Sequence, residues 1–235
     1  MNYRTLGKTN YKISEISLGT WQVGGKWGDP FSDKVAEGIL HAAIDAGVNF
    51  IDTADVYSAG LSEEAVGRVV KSRSEQIFVA TKCGRQINPH LNEGYTEEAL
   101  RGYVEDSLRR MRLETLDLIQ LLCPPTEVYY RPEIFGLCER QKEEGKLQHI
   151  GVSVENVEEE LKGKRYGDVA AVQIIFNVFR QRPSETFFAE AKERNVGIIV
   201  RVPLASGLLT GKFTLDSTFG EEDHRHFNRD GAGFD

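Results

Sequence analysis

Asn49-Phe50-Ile51-Asp52-Thr53-Ala54-Asp55-Val56-Tyr57 is a short apolar run that ends in a carboxylate, with a phenol five residues later. A second apolar run, Ile77–Lys82, ends in a cation. If both runs are parallel strands of a barrel, the residues at their ends share one rim, where barrel enzymes build their active sites. The sequence therefore predicts that Asp52, Tyr57 and Lys82 meet. This arrangement is suited to proton donation by a phenol whose pKa is shifted by its neighbours.

Short apolar runs rich in β-forming residues recur along the chain, with segments of helical period between them. This alternation predicts an α/β fold with a parallel sheet. Runs such as Asp117–Leu122 are mostly apolar rather than alternating, which is typical of strands that are buried on both faces beneath helices. We expect strands at Ile16–Gly19, Asn49–Thr53, Ile77–Lys82, Leu116–Leu122, His149–Ser153, Val172–Asn177 and Gly197–Pro203.

The number of these runs predicts an incomplete barrel. A (β/α)8 TIM-type barrel has eight strands, whereas Phe213–Asp235 is polar and contains no run suited to a central strand. We therefore expect about seven βα units over residues 1–212 and an irregular tail over residues 213–235. An open barrel leaves two strand edges unpaired. Either the chain is a shortened form, or a partner closes the sheet as a homo-oligomer or by a domain swap.

The segments between the strands carry their own signals. Tyr3–Leu6 and Lys12–Ile16 predict a small N-terminal β-hairpin that covers one end of the barrel. Ser32 and Thr96 are expected to cap helices, and Glu155–Tyr166 is predicted to be helical with a weaker pattern. The first of these helices is expected to bury one apolar face, formed by Val35, Ile39, Leu40, Ala43 and Ile44.

Composition narrows the class of protein. The 235 residues are 40% apolar and 28% charged, enough for one sizeable core. The formal charge of −7, with acids and bases interspersed, argues against a nucleic-acid partner, which requires a basic face. No run approaches the length of about 18 residues that a membrane span needs, so we expect a cytoplasmic protein without a membrane partner.

Cysteine and histidine usage gives no pattern typical of a metal site. Cys83, Cys123 and Cys138 have spacings that match neither zinc nor disulfide frameworks, so we expect reduced thiols and no structural metal. His224 and His226 lie among acidic residues of the tail. That cluster is interpreted either as a loose metal site or, preferably, as a solvated loop.

Several motifs together resemble the aldo-keto reductases, barrel enzymes that reduce aldehydes and ketones with NADPH. Each match is short, but their order and their placement at strand ends are specific to that family. The matching residues are Leu18-Gly19-Thr20-Trp21, Phe50–Tyr57, Val79–Lys82, Leu116–Leu121, Gly151–Ser153, Gln173 with Asn177, and Pro203–Lys212.

The resemblance implies roles for the acid, the phenol and the amine. Tyr57 would be the general acid that protonates the carbonyl oxygen of a small-molecule substrate. Because an unperturbed phenol has a pKa of about 10, Lys82 would be needed to lower that pKa and Asp52 to hold Lys82. Structural interpretations stay open: Asp52 as a turn cap, Lys82 as its buried ion-pair partner and Tyr57 as an aromatic residue at the rim.

The predicted substrate pocket departs from the family pattern. At Leu122 the family usually has a histidine that orients the substrate oxygen, and leucine has no hydrogen-bond donor. By analogy with the removal of one oxyanion donor, this change could lower the rate by on the order of 10²–10³. Trp21 and Trp27 either line the substrate opening or pack beneath the hairpin.

The resemblance also implies an NADP site. Gly19 and Thr20 would approach the ribose, Ser153 and Gln173 would bind the carboxamide, Phe176 would stack under the nicotinamide, and loop N–H groups would hold the pyrophosphate. Arg201 has two open interpretations, a phosphate or substrate contact and an ordinary salt bridge. The full expected set is Gly19, Thr20, Asp52, Ser153, Gln173, Phe176, Pro203, Leu204, Ala205, Ser206, Gly207, Leu208 and Lys212.

Three hypotheses of function follow. The first is an NADPH-dependent carbonyl reductase. The second is a cofactor-binding but catalytically weak accessory protein, which the leucine at position 122 and the short C-terminal region favour. The third is a nonfunctional chain whose folding depends on association. In this family the contacts to the adenosine 2′-phosphate come from the eighth unit, so the preference for NADP over NAD rests on the resemblance alone.

Overall fold

A computed structural model describes residues 1–25, 29–154, 169–221 and 223–227. The predicted helix Glu155–Tyr166 and Trp27 lie outside the described residues. The strands are β1 Tyr3–Thr5, β2 Lys12–Ser14, β3 Leu18–Gly19, β4 Phe50–Asp52, β5 Phe78–Cys83, β6 Leu116–Leu122, β7 Leu147–Ser153, β8 Val169–Ile175 and β9 Gly197–Arg201. The helices are α1 Asp33–Asp45, α2 Leu61–Ser72, α3 Glu97–Met111, α4 Pro132–Glu143, α5 Phe187–Glu193 and α6 His224–Phe227.

Strands β3 to β9 form one parallel sheet in sequential order. All seven predicted strands are therefore confirmed, with ends that differ by a few residues. In the described part of the chain that follows Arg201, no further strand occurs. Within that part, β3 and β9 are the two edges of the sheet, as expected for a barrel of seven units.

The sheet is curled rather than flat. Gln173 on β8 donates a hydrogen bond of 2.8 Å to Asp52 on β4, although four strand intervals separate the two strands. In a flat sheet with neighbours about 4.8 Å apart these strands would lie roughly 19 Å from each other. The fold is therefore that of a (β/α)8-type barrel with an open seam between β3 and β9.

The N-terminal hairpin closes the end of the barrel at which the strands begin. Strands β1 and β2 pair antiparallel, as predicted, and are joined by a 3-10 turn at Gly7–Thr9. The hairpin inserts Leu6 into a buried cluster with residues from five strands, and Tyr11 stacks on Phe78 with the ring centroids 4.1 Å apart. The residues around Leu6 are Phe50, Phe78, Ala80, Leu118, Ala171 and Ile199.

Close backbone approach fixes the seat of the hairpin. Gly7 has a φ of +47°, and a Cβ atom there would lie 2.1 Å from the backbone nitrogen of Gly197. A side chain at this position would be excluded both by its conformation and by the lack of space. Gly197, the first residue of β9, thus lies in close backbone contact with the hairpin turn.

The helix caps are those that the sequence predicts, whereas the buried face of helix α1 differs from the prediction. The hydroxyl of Ser32 accepts a hydrogen bond from the N–H of Val35, and that of Thr96 accepts one from Ala99. In α1, however, Val35 and Ile39 are exposed. Leu40 and Ile44 are buried as predicted, but the prediction was wrong for Val35 and Ile39, because the buried row begins at Ala36 and continues with a four-residue spacing. That row is Ala36, Leu40 and Ile44.

Leu6→Ala tests whether the hairpin is an integral part of the core. Leu6 is 3% exposed, so we expect the free energy of unfolding to fall by about 2 to 5 kcal/mol, the range for a large cavity-forming truncation. Chemical denaturation measures this change. Leu215→Ala is the matched control, because Leu215 is fully exposed and should change stability by less than about 0.5 kcal/mol. Equal effects of the two substitutions would contradict the assignment.

Candidate active site

A cavity of about 660 Å³ opens at the end of the barrel where the strands finish, opposite the hairpin. Its position follows from the parallel sheet, since the last residues of all seven strands meet at that end. Many of the residues that the sequence predicts for the site line this cavity. They are Gly19, Thr20, Trp21, Asp52, Tyr57, Leu122, Ser153, Gln173 and Pro203.

The predicted acid, phenol and amine meet at the floor of the cavity. Lys82 is completely buried. Its Nζ atom lies 2.6 Å from Asp52 Oδ2, 3.2 Å from Tyr57 Oη and 2.8 Å from the carbonyl oxygen of Thr53. A buried ammonium needs such partners, because transfer of a charge out of water is costly.

Two glutamine side chains hold the carboxylate of this group. Asp52 Oδ1 accepts hydrogen bonds from Gln173 at 2.8 Å and from Gln120 at 3.2 Å. Gln173 was expected to contact the cofactor, and it lies on the cavity wall while also holding Asp52. Gln120 was missed. The signal for it was a single amide in the otherwise apolar second half of strand β6.

Tyr57 stands on a strained turn. Asp55 N–H donates to the carbonyl oxygen of Lys82, which ties the turn to β5. Beyond Tyr57, Ser58, Ala59 and Gly60 all have positive φ, although only Gly60 is a glycine. Left-handed conformations at other residues cost free energy and occur preferentially at functional sites.

A buried ion pair packs against the turn that carries Tyr57. Glu63 is fully buried and contacts Arg110 Nε at 2.6 Å and the hydroxyl of Thr81 at 2.5 Å. A Cβ atom at Gly60 would lie 2.6 Å from Cδ of Arg110. Helix α3 therefore presses against the end of the turn that carries the phenol.

Burial dominates the ionisation of the phenol. It raises the pKa of Tyr57, and the Lys82 ammonium offsets only part of that increase. Lys82 thus lowers the pKa of Tyr57 as expected, but burial outweighs it and the net direction is upward. For Lys82, burial lowers the pKa, but the charge of Asp52 and the hydrogen bonds to Asp52 and Tyr57 outweigh it, so the net direction is upward. At neutral pH the site thus holds a neutral phenol beside an ammonium.

Several residues expected at the cofactor lie away from the cavity wall. Phe176 packs edge-on against Phe188, with the ring centroids 4.9 Å apart. In the 3-10 turn Ala205–Thr210, the N–H groups of Ala205 and Gly207 donate within the loop. The members of the predicted set that are absent from the wall are Phe176, Leu204, Ala205, Ser206, Gly207, Leu208 and Lys212.

Other predicted residues face the cavity. The ring of Trp21 lies nearly parallel to that of Tyr57, with centroids 6.2 Å apart, and is 39% exposed. Thr20 is buried and its backbone N–H donates to the carbonyl oxygen of Asp52. Ser153 lies 3.4 Å from Gln173 Oε1. Trp21 thus lines the opening beside the phenol.

Arg201 places a guanidinium group on the cavity wall. It ends strand β9, and its Nη2 atom donates to the carbonyl oxygen of Val154 at 3.0 Å and lies 3.7 Å from Cys123 Sγ. The sequence predicts that Arg201 lies at the end of a strand, and it leaves open whether the side chain contacts a phosphate or substrate or forms a salt bridge. The guanidinium reaches from β9 to residues that follow β6 and β7, so it lies across the mouth of the barrel.

The described residues contain no group of His, Cys, Asp and Glu side chains arranged to hold a metal ion. In the same residues, no helix is long and apolar enough to cross a membrane. Cys83, Cys123 and Cys138 are buried and form no disulfide.

Comparison with known proteins agrees with this architecture. A family model described as "Aldo/keto reductase family" matches residues 15–233. "Aldo-keto reductase YhdN" of Bacillus subtilis (strain 168) is 31% identical over 233 residues, which is 96% of this chain and 69% of that protein. "NADH-specific methylglyoxal reductase" of Escherichia coli (strain K12) is 27% identical over 227 residues, covering 90% of this chain and 70% of that protein.

The same likeness appears in three dimensions. The glycerol dehydrogenase AKR11B4 from Gluconobacter oxydans aligns with a TM-score of 0.76 and 33% identity. The alignment covers 95% of this chain and 70% of that structure. The curled sheet is therefore that of a fold already known from solved structures.

Asp55 adds a buried acid behind the site. It is 2% exposed; Oδ2 accepts a 2.6 Å hydrogen bond from Gln86, and Oδ1 has no partner among the described residues. Burial, together with the charge of Glu63, raises the pKa of Asp55 to about 6. Between pH 4 and 6 the folded chain therefore keeps a proton that the unfolded chain releases, so this residue makes stability fall as pH rises.

Asp55→Asn tests this linkage. The variant has no proton to lose, so its stability relative to the unsubstituted chain should increase from pH 4 to pH 6 and level off above. The full difference should be on the order of 2 to 3 kcal/mol. Urea denaturation at several pH values measures it. Stability curves that run parallel for the two proteins would contradict a raised pKa at Asp55.

Proposed function

The chain belongs to the aldo/keto reductase family, and from that premise we propose that it reduces aldehydes or ketones to alcohols by hydride transfer from NADPH. Tyr57 donates the proton, with Lys82 and Asp52 assisting it. The observation that carries this proposal is the chain of contacts from Asp52 to Lys82 at 2.6 Å and from Lys82 to Tyr57 at 3.2 Å beside the cavity. The three side chains thus act together to donate the Tyr57 proton to the substrate.

The cavity suits a nicotinamide ring and a small carbonyl compound. Its volume of about 660 Å³ lies in the range of small-molecule sites. A Cβ atom at Gly19 would meet nothing within 4 Å, so the wall is open there. The hydroxyl of Ser153 and the amide of Gln173 are suited to bind the carboxamide. Reduced nicotinamide, when bound, supplies the hydride.

Tyr57 and Lys82 act at the carbonyl oxygen. Because burial raises the pKa of Tyr57, the phenol carries its proton at neutral pH and can donate it as negative charge develops on the substrate oxygen. The phenolate that remains then lies beside the Lys82 ammonium, which stabilises it in a water-poor site. Asp52 positions Lys82 and compensates its charge.

Tyr57→Phe tests the general acid. We expect kcat for carbonyl reduction, measured by NADPH absorbance, to fall by about 10²- to 10⁴-fold, the usual contribution of a positioned proton donor. Affinity for NADPH should be retained, because only a hydroxyl is lost. Tyr130→Phe is the control, since Tyr130 is 60% exposed on a turn outside the cavity. If the Tyr57 variant keeps full activity, the proposed mechanism is wrong.

A second candidate function is that of a cofactor-binding protein with little catalysis. Leu122 favours it, because this side chain on the cavity wall has no hydrogen-bond donor for a substrate oxygen. The choice between NADH and NADPH is a separate question, because one relative is named NADH-specific. NADH and NADPH should therefore be compared in every assay.

Leu122→His separates the two candidates. A reductase that lacks one donor should gain at least about tenfold in kcat/KM, a modest part of the 10²–10³ that an oxyanion donor can contribute. Leu122→Phe is the matched control, because it adds a ring of similar size without a strong donor. No gain with histidine, together with a thermal melt raised by NADPH, would favour the binding protein.

A further inference from the structure

Gln120 places a fully buried amide in the otherwise apolar second half of strand β6. Its Oε1 atom has no hydrogen-bond partner among the described residues. A buried acceptor without a partner lowers stability, and the adjacent residues Ile119 and Leu121 are both apolar. Packing alone would therefore favour an apolar side chain at this position, so the amide must have another role.

The neighbouring strands leave room for this amide. Gly151 of β7 is the register partner of Gln120 on one side, and a Cβ atom at Gly151 would lie only 3.1 Å from Cγ of Gln120. Lys82 of β5 is the register partner on the other side. From β6 the amide reaches Asp52 on β4, two strands away. A glycine on β7 thus accommodates a glutamine that extends towards the ion pair of Lys82 and Asp52.

The two amides that donate to Asp52 differ in their access to ligands. Asp52 Oδ1 accepts from Gln173 at 2.8 Å and from Gln120 at 3.2 Å. Gln173 lies on the cavity wall, where a bound ligand can compete for its amide. Gln120 is fully buried and does not belong to the described wall. Gln120 is therefore the donor that remains on Asp52 when a ligand engages Gln173.

The orientation of this carboxylate determines where the ammonium lies. While Oδ1 is held by the amides, Oδ2 faces Lys82 Nζ at 2.6 Å. The same Nζ atom lies 3.2 Å from Tyr57 Oη. Rotation of the carboxylate would carry Oδ2 away from Nζ, and the ammonium would lose the partner that keeps it beside the phenol.

We propose that Gln120 is a positioning residue for proton donation: it fixes the Asp52 carboxylate, and through it Lys82, in the orientation that stabilises the Tyr57 phenolate. This inference rests on the proposed function and adds a residue to its machinery. Gln120 contacts neither the substrate nor the reacting atoms, and it exchanges no proton. Its contribution is to keep the ion pair in place whether or not the cavity is occupied.

Gln120→Leu separates positioning from packing. We expect kcat for carbonyl reduction, measured by NADPH absorbance, to fall at least about tenfold, the factor that corresponds to one hydrogen bond to a charged group. The Kd for NADPH, measured by fluorescence titration, should change less than about threefold, because the interaction acts on the chemical step. The urea midpoint should change little, because leucine loses one hydrogen bond but also removes the acceptor that has no partner.

Gln120→Glu gives a pH signature that a packing role would not produce. The ionisable groups of this hydrogen-bonded set are Asp52, Lys82 and Tyr57. A protonated carboxyl group at position 120 has an O–H donor for Asp52, whereas the ionised group has none. Because two carboxyl groups that share a site resist ionising together, one keeps its proton to higher pH. The kcat of this variant, relative to the unsubstituted chain, should therefore increase as pH falls from about 9 to about 6.

Gln141→Leu is the matched control. Gln141 lies on α4, is also fully buried, and has no partner for either polar atom of its amide among the described residues. It lines a small cavity separate from the proposed active site, so its replacement should leave kcat unaffected. Full activity of Gln120→Leu would overturn the proposal. So would a Gln120→Glu variant whose relative activity is independent of pH.

A second measurement needs no turnover. In a crystal structure of Gln120→Leu we expect a rotated Asp52 carboxylate, with Lys82 Nζ more than about 3.5 Å from Tyr57 Oη, beyond hydrogen-bond reach. An unmoved carboxylate would reject the positioning role. A rotated carboxylate in a chain without reductase activity would support that role and reject the proposed reaction. Loss of activity in Tyr57→Phe but not in Gln120→Leu would keep the proposed reaction and reject this inference alone.

Discussion

The ion pair between Lys82 and Asp52 is the constraint on which the site depends. An ammonium that is completely buried would be strongly destabilising alone, and it is tolerated because a carboxylate at 2.6 Å and a backbone carbonyl at 2.8 Å compensate it. The carboxylate in turn needs donors, which come from Gln120 and Gln173 on other strands. The polar core therefore forms only when the sheet has curled far enough to bring β8 to β4.

This dependence joins chemistry to architecture. The same exclusion of water that strengthens the contact between Lys82 and Asp52 also makes Tyr57 harder to ionise. In the mechanism proposed above, Lys82 therefore stabilises the phenolate that forms during the reaction, rather than ionising the phenol beforehand. The strained residues Ser58 and Ala59 hold the hydroxyl at this position, and the buried pair of Glu63 and Arg110 supports them.

Local pattern in the sequence was sufficient for the strands and for the convergence of the site. A carboxylate and an amine that end parallel strands must share a rim, so Asp52 and Lys82 were predictable without coordinates. Contacts across the barrel were not, because they depend on curvature that no local pattern encodes. The pairing of Gln173 with Asp52 and the packing of Phe176 on Phe188 belong to this second class. The net direction of the Tyr57 pKa shift also belongs to this class, because it depends on the balance between burial and the charges around the phenol.

The mouth of the barrel carries a different kind of constraint. In the proposed reaction, the floor with its acid, amine and phenol provides a proton but distinguishes poorly among carbonyl compounds, because every aldehyde and ketone presents the same oxygen. Selection must come from the wall, where Leu122 provides an apolar surface and Arg201 a charge that crosses from β9 towards β6 and β7. Because Leu122 has no hydrogen-bond donor, a carbonyl substrate of the proposed reductase would have to be oriented by Tyr57 and by the other polar groups of the cavity wall.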